Sequence, residues 1–249
     1  MRTAAAPPLA RIANQVRWET LAMLKNGEQL VLIAFMPVLA LVALSQTPVL
    51  DGLGVPRIEA ATPGALALAV VSTAFTGQAI ATGFDRRYGV LTHAATTPLG
   101  RFGLLAGKTG AVLAVVVLQF LLIGGIALVL GLRPQPSAIL PLAVSALLGV
   151  WALTAFGLLI AGLVRPEATL AVTNLLWIVF AGVGGLLVPA HTMPAPLDRL
   201  IPLLPTSALA DSFRAALSHG AWDPFALLVL TVWGAVCTFG VVKTFTWTA

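Results

Sequence analysis

The chain has 249 residues, of which 59% are hydrophobic and only 9% charged, with a formal net charge of +5. Soluble domains carry about a quarter charged residues, so this composition excludes the soluble class. The lone Cys237 excludes an internal disulfide and any cysteine-based zinc site. The basic excess admits nucleic acid as a partner until its distribution along the chain is read.

Residues 9–26 come first. Ile12, Val16, Thr20 and Met23 recur at helical spacing, with Arg11, Gln15, Arg17 and Glu19 as polar flanks. The pattern predicts a helix lying in the membrane interface, anchored by Trp18; the alternative is a short solvated helix. The segment lacks the compact apolar core and cleavage site of a secretory leader, so the first span is expected to stay in the protein.

Spans follow from the gaps between charges. A charged side chain at the bilayer centre costs roughly 2.5–3.5 kcal/mol, so a membrane helix reads as a long charge-free window. Six such windows lie between Glu28 and Asp51, Glu59 and Asp85, Lys108 and Arg133, Arg133 and Arg165, Glu167 and Asp198, and Asp223 and Lys243. They place spans near 30–48, 62–84, 107–131, 138–164, 168–188 and 224–244. Pro37 falls inside the first and is expected to kink it. Pro134, Pro136 and Pro141 mark the turn before the fourth.

Orientation follows from the basic residues. With the N-terminus in the cytoplasm, the inner side holds Arg2, Arg11, Arg17, Lys25, Arg86, Arg87, Arg101, Lys108, Arg165 and Lys243. The outer side holds only Arg57, Arg133, Arg199 and Arg214. The positive-inside rule selects this topology, with both termini cytoplasmic. The basic excess is thereby explained, and nucleic acid is not expected as a partner.

The outer segment 189–222 carries two amphipathic patterns. Leu197, Leu200, Ile201 and Leu204 form the first; Leu209, Phe213, Ala216 and Leu217 form the second, with Thr206 or Ser207 as its cap. Two short helices are expected, ending near Gly220. They dip into the outer leaflet or lie flat upon it.

Chemistry-bearing motifs are few. Gly107-Lys108-Thr109 imitates the end of a phosphate loop, but Phe102 stands where the first glycine is required. The segment reads instead as a Gly103/Gly107 packing pair with Lys108 snorkelling to the inner headgroups. The histidines His93, His191 and His219 lie apart, no metal site is expected, and no carboxylate falls near the middle of a span. Ser72, Thr76, Gln78, Gln119, Asn174 and Trp177 supply what polarity the spans have. Singly they read as helix-packing residues; together they are candidates for a substrate path or a subunit interface.

The stretch from Phe84 to Lys108 reads FDRRYGVLTHAATTPLGRFGLLAGK. It resembles the signature of the ABC-2 type permease family, in which an acidic residue ends the second span. A basic-x-Gly-x-Leu stretch, a Thr-Pro-Leu-x-Arg turn and a Gly-Lys opening the third span then follow. The loop before the last span, with Pro202, Pro205, Asp211 and Arg214, is similar to the family's extracytoplasmic element. Within the family the likeness is to the daunorubicin-resistance type of drug permease.

The resemblance implies one all-α integral membrane domain over 1–249, with six transmembrane helices and an N-terminal interfacial helix. Short re-entrant or interfacial helices would precede the last span. It further implies an exporter subunit of the bacterial cytoplasmic (inner) membrane, without catalytic residues of its own. ABC ATPase subunits would hold the ATP and magnesium, and a second permease subunit, identical or paralogous, would complete the pathway among membrane lipids. Segment 85–101 would be the cytoplasmic coupling loop, with Asp85, Arg86, Arg87, Gly89, Leu91, Thr97, Pro98 and Arg101 meeting the ATPase. The rivals are an ATP-independent secondary transporter or channel, and a membrane-embedded lipid-modifying enzyme. The first needs a coupling-ion site, for which only Gln78, Gln119 and Asn174 are available in the spans. The second needs polar residues clustered at one membrane face.

Overall fold

The structure is a computed structural model that describes residues 7–244, apart from the side chains of 28–33 and 93–95. Arg2 and the side chains that open the first predicted span therefore lie outside the described residues. Among the described residues every regular element is helical.

Helix α1 (Pro8–Lys25) is amphipathic, as its spacing predicts, and starts with proline in its first turn. α2 (Gly27–Gln46) continues through Pro37. Its fully described apolar stretch is Ala34–Gln46, and this helix corresponds to the first predicted span. A short turn, Pro48–Leu53, leads to the second span, in which Asp51 accepts two hydrogen bonds from Arg57 at 2.5 and 2.8 Å. Those bonds hold the Asp51 carboxyl below its usual range.

The second span runs from Arg57 to Arg87 as one continuous helical stretch of 31 residues. It consists of α3 (Arg57–Val70), a π-helical turn (Val71–Gly77) and α4 (Gln78–Arg87). It forms the centre of the bundle. Ala60, Ala61, Ala65, Ala67 and Ala69 are all buried along it. Such small side chains let α2, α6, α7 and α10 approach together, while α8 packs against α4 and the π turn.

A short helix α5 (Val90–Ala95) leads into α6 (Gly100–Val129), followed by α7 (Ile139–Leu163) and α8 (Pro166–Val183). The segment before the last helix holds α9 (Leu197–Leu200) and α10 (Pro205–His219); α11 (Pro224–Thr244) closes the chain. Among the described residues, five stretches are long and apolar enough to cross a membrane: 57–87, 100–129, 136–163, 166–183 and 224–244. Phe75 stacks on Phe156 at 5.0 Å, meets Phe180 at 5.8 Å, and Phe156 meets Trp233 at 5.4 Å. These rings tie the second span to α7, α8 and α11.

Three local expectations are corrected. α6 starts at Gly100 rather than near 107, because the Pro98 turn is compact enough for the helix to begin immediately after it. α10 carries no side-chain cap: Leu204 holds the cap position with Pro205 behind it, while Thr206 and Ser207 point to Gly184 and Asp211. α10 does end at Gly220, which takes the left-handed conformation, but its face from Pro205 to Phe213 is largely buried against α3, α7 and α11. A helix with its apolar stripe buried on both sides plugs the bundle rather than resting on it.

Candidate functional site

The segment joining the second and third spans is a helical hairpin. Gly89 (φ +74°) and Gly100 (φ +69°) adopt the left-handed conformation that side chains resist, one on each side of α5. Leu91 is 2% exposed and packs with Leu104, Leu105, Leu158 and Val241. It pins the hairpin to the bundle. Around this pin the outward surface is aromatic and small: Tyr88 is 72% exposed and stacks on Phe84 at 6.1 Å, while Gly89, Val90, Thr97 and Pro98 are also exposed.

The arginines of this segment divide by environment. Arg86 Nη1 donates to the carbonyls of Ala161 (3.0 Å), Gly162 (3.3 Å) and Val164 (3.2 Å), satisfying the C-terminus of α7. Arg101 Nη1 does the same for Val242 of α11 at 2.7 Å. Arg87 is half exposed and lies 3.7 Å from Glu167. Arg11 of α1 donates to the carbonyl of Pro98, so the hairpin is tied to the N-terminal helix as well.

Beneath the hairpin lies a buried ion cluster. Lys108 is 1% exposed, and its Nζ sits 3.0 Å from Glu19 and 3.2 Å from Asp85. Gln15 Nε2 donates to Glu19 at 2.9 Å and completes the group. The predicted snorkelling of Lys108 is thus replaced by burial. α6 begins a full two turns before this residue, and α1 lies across it. Gly107 and Gly110 make that crossing possible, since a Cβ on either would collide with Gln15 or Val16. Gly103 faces Leu99 instead, so the anticipated Gly103/Gly107 pair is really Gly107/Gly110.

Among the span polar residues, Trp177 Nε1 donates to Ser72 at 3.0 Å, and Thr73 donates to Gln119 at 3.0 Å. Gln78 Nε2 reaches Met23 Sδ at 3.6 Å. Thr76 Oγ1, Gln78 Oε1 and Thr82 Oγ1 are buried without a partner among the described residues. Thr76 lies in the π turn and Gln78 directly after it, a distortion frequent at functional sites, while Thr82 follows further along α4. Asn174 is not brought into this group: it is exposed midway along α8, flanked by exposed Leu170, Leu175 and Ile178.

At the opposite end Arg214 Nη1 lies 2.6 Å from Asp211, and Nη2 donates to Gly185 (3.0 Å) and Leu186 (2.8 Å). This fork binds α10 to the chain leaving α8. Pro205 opens α10, and Pro202 lies in the single 3₁₀ turn before it, Ile201–Leu203.

Glu19 and Tyr88 carry roles that spacing alone did not assign. Glu19 sits four residues from Gln15 on one helix face, and the only sign of its partner is a lone lysine near the start of the third span. An all-helical bundle with these apolar stretches is a multi-pass membrane protein. The chain belongs to the ABC-2 family transporter proteins, whose pattern it matches over residues 57–246. Members are membrane transport components rather than catalytic subunits, and membership implies association with ABC ATPase subunits. Comparison with curated proteins gives no match.

Proposed function

We propose that this chain is the permease subunit of an ATP-driven exporter, with the hairpin between the second and third spans as the handle on which a separate ATPase acts. One observation carries the reading. The hairpin combines a buried pin, Leu91, with an exposed aromatic and small-residue face at Tyr88, Val90 and Pro98. A rigid element with an outward contact face transmits force; a floppy loop would absorb it. Arg87 adds a solvent-facing charge for a soluble partner. The positive-inside distribution supports a cytoplasmic position for this end, and the family likeness supports a bacterial inner membrane as its site.

A single bundle is packed at its centre, so the path forms between two permease subunits, identical or paralogous. The exposed α8 face with Asn174 is the surface we assign to that pairing, because a polar side chain facing lipid is costly unless another helix covers it. The apolar spans and the likeness to daunorubicin-type permeases support an amphipathic or apolar cargo. ATP and magnesium reside on the ATPase, and none is needed here.

Replacement of Gly89 by valine or Pro98 by glycine tests the handle. Both variants should insert normally in the membrane yet lose export and partner-stimulated ATP hydrolysis. Normal coupling in both would overturn the assignment. Labelling of cysteines placed at Arg87 or Arg101 from outside the cell would overturn the topology.

A further inference from the structure

We infer that the seam where α6 meets α7 and α11 is a binding groove for one anionic phospholipid, with its headgroup held by Arg11 and Arg101. Two adjoining clefts make up the groove. The first, about 450 Å³, is lined at the hairpin end by Arg11, Ile12, Pro98, Arg101, Phe102 and Val242. The second, about 520 Å³, is lined deeper in the bundle by Phe102, Leu105, Thr109, Leu113, Trp151 and Thr238. Phe102 belongs to both. The two also follow the same helix faces: 102, 105, 109 and 113 recur at helical spacing on α6, and 242 and 238 stand one turn apart on α11.

Charge and length both fit such a lipid. Among the described residues, the first cleft holds two guanidinium groups and no acidic side chain, whereas the second is almost wholly apolar. Arg11 donates to the carbonyl of Pro98 and Arg101 to that of Val242, which fixes both side chains at the mouth. A guanidinium has five donors, and its fork suits phosphate oxygens. From Phe102 to Leu113 the helix rises about 16 Å. That is close to one leaflet of a hydrocarbon core about 30 Å thick, the depth one acyl chain occupies. A basic pocket above an apolar slot between spans is the arrangement that selects an anionic headgroup over a zwitterionic one. The inference takes from the proposed function only that this end of the bundle lies at a membrane surface.

The groove contains its own reporter in Trp151, whose Nε1 donates to Thr238 at 3.0 Å. The full chain is reconstituted in phosphatidylcholine vesicles holding a fixed fraction of phosphatidylglycerol, with bromine on the acyl chains of one lipid or the other. Quenching that disappears in Trp151→Phe belongs to the groove. Brominated phosphatidylglycerol should quench that component more strongly per lipid, with about a fivefold preference from each arginine at low salt. The double variant Arg11→Gln/Arg101→Gln should bring the two lipids to parity, and Arg11→Lys/Arg101→Lys should keep much of the preference. Should the glutamine variant fail to fold, rising salt must erode the preference in the unaltered protein. Equal quenching by both lipids in the unaltered protein would overturn the inference, as would a groove closed to brominated lipid because a second copy fills it. Loss of ATPase docking in the hairpin variants would leave this result untouched, so the two readings fail separately.

Discussion

Lys108 Nζ lies 3.0 Å from Glu19 Oε1 and 3.2 Å from Asp85 Oδ2, so one buried ammonium joins the N-terminal helix, the end of the second span and the start of the third. Removing one partner of a buried ion group strands the others, at roughly 3–5 kcal/mol for a fully buried pair. Glu19 and Asp85 retain some contact with solvent, so the lower end applies here. Lys108→Met is expected to destabilise the protein by about 3 kcal/mol. Glu19→Gln and Asp85→Asn should each cost less, because Lys108 keeps its other carboxylate. Thermal melting in detergent measures all three. A Lys108→Met midpoint equal to that of the unaltered protein would show that the cluster contributes nothing.

Gly157 lies where α7 crosses the π turn of the second span. A Cβ there would stand 2.8 Å from the carbonyl oxygen of Phe75 and 3.4 Å from the amide nitrogen of Ala79. Backbone atoms cannot rotate away, so Gly157→Ala should cost about 1–3 kcal/mol through overpacking. Among the described residues, Gly124 has no neighbour within 4 Å of such an atom. Gly124→Ala should therefore be neutral or gain up to about 1 kcal/mol of helix propensity. Denaturant titration of the pair decides: equal effects would contradict the close crossing.

The two adjacent arginines at the end of α4 are expected to behave differently. Arg86→Ala leaves three carbonyls at the end of α7 without their charged donor, and should cost about 2 kcal/mol. Arg87→Ala removes only an exposed pair at 3.7 Å, worth at most about 1 kcal/mol. Melting separates the structural residue from the surface one. Partner-stimulated ATP hydrolysis should then fall in Arg87→Ala while its melting point holds.

Asn174 should report on subunit pairing. Asn174→Cys is expected to give disulfide-linked dimers under mild oxidation in native membranes. Asn174→Leu should weaken the dimer by about 1 kcal/mol, seen as a shift in the association curve in detergent. Monomeric cysteine variants, with cross-links forming elsewhere, would move the interface off α8.

Arg214 supplies a planar fork to Asp211, Gly185 and Leu186, and lysine cannot reproduce it. Arg214→Lys should loosen the link between α8 and α10 by about 1–2 kcal/mol despite the conserved charge. Limited proteolysis across residues 184–197 is the measurement, with faster cleavage expected. An unchanged pattern would assign the closure to apolar packing alone.

Much of the fold was legible in the chain. Charges are expensive in a bilayer, so the gaps between them located five of the spans; α11 (Pro224–Thr244) matches its predicted bounds, while α6 starts earlier, at Gly100, and α8 ends earlier, at Val183, than expected. Periodicity identified α1, Gly220 marked the end of α10, and the ordered Asp85-to-Lys108 stretch pointed to the family. What spacing could not supply was the third dimension of that stretch. A lysine at a predicted span edge looks free to snorkel, because nothing in its neighbours reveals that α1 folds back over it. The π turn was likewise invisible, since a shift of one hydrogen bond in the ladder leaves no compositional trace.

By itself, then, the amino-acid order determined membrane residence, approximate span positions and family, all of which depend on local transfer energies and short motifs. The pairing of Lys108 with Glu19 and Asp85, the crossing at Gly157 and the two roles of Arg86 and Arg87 were decided only by tertiary packing. Each joins residues far apart in the chain, and their contact depends on how whole helices cross, which no local pattern encodes.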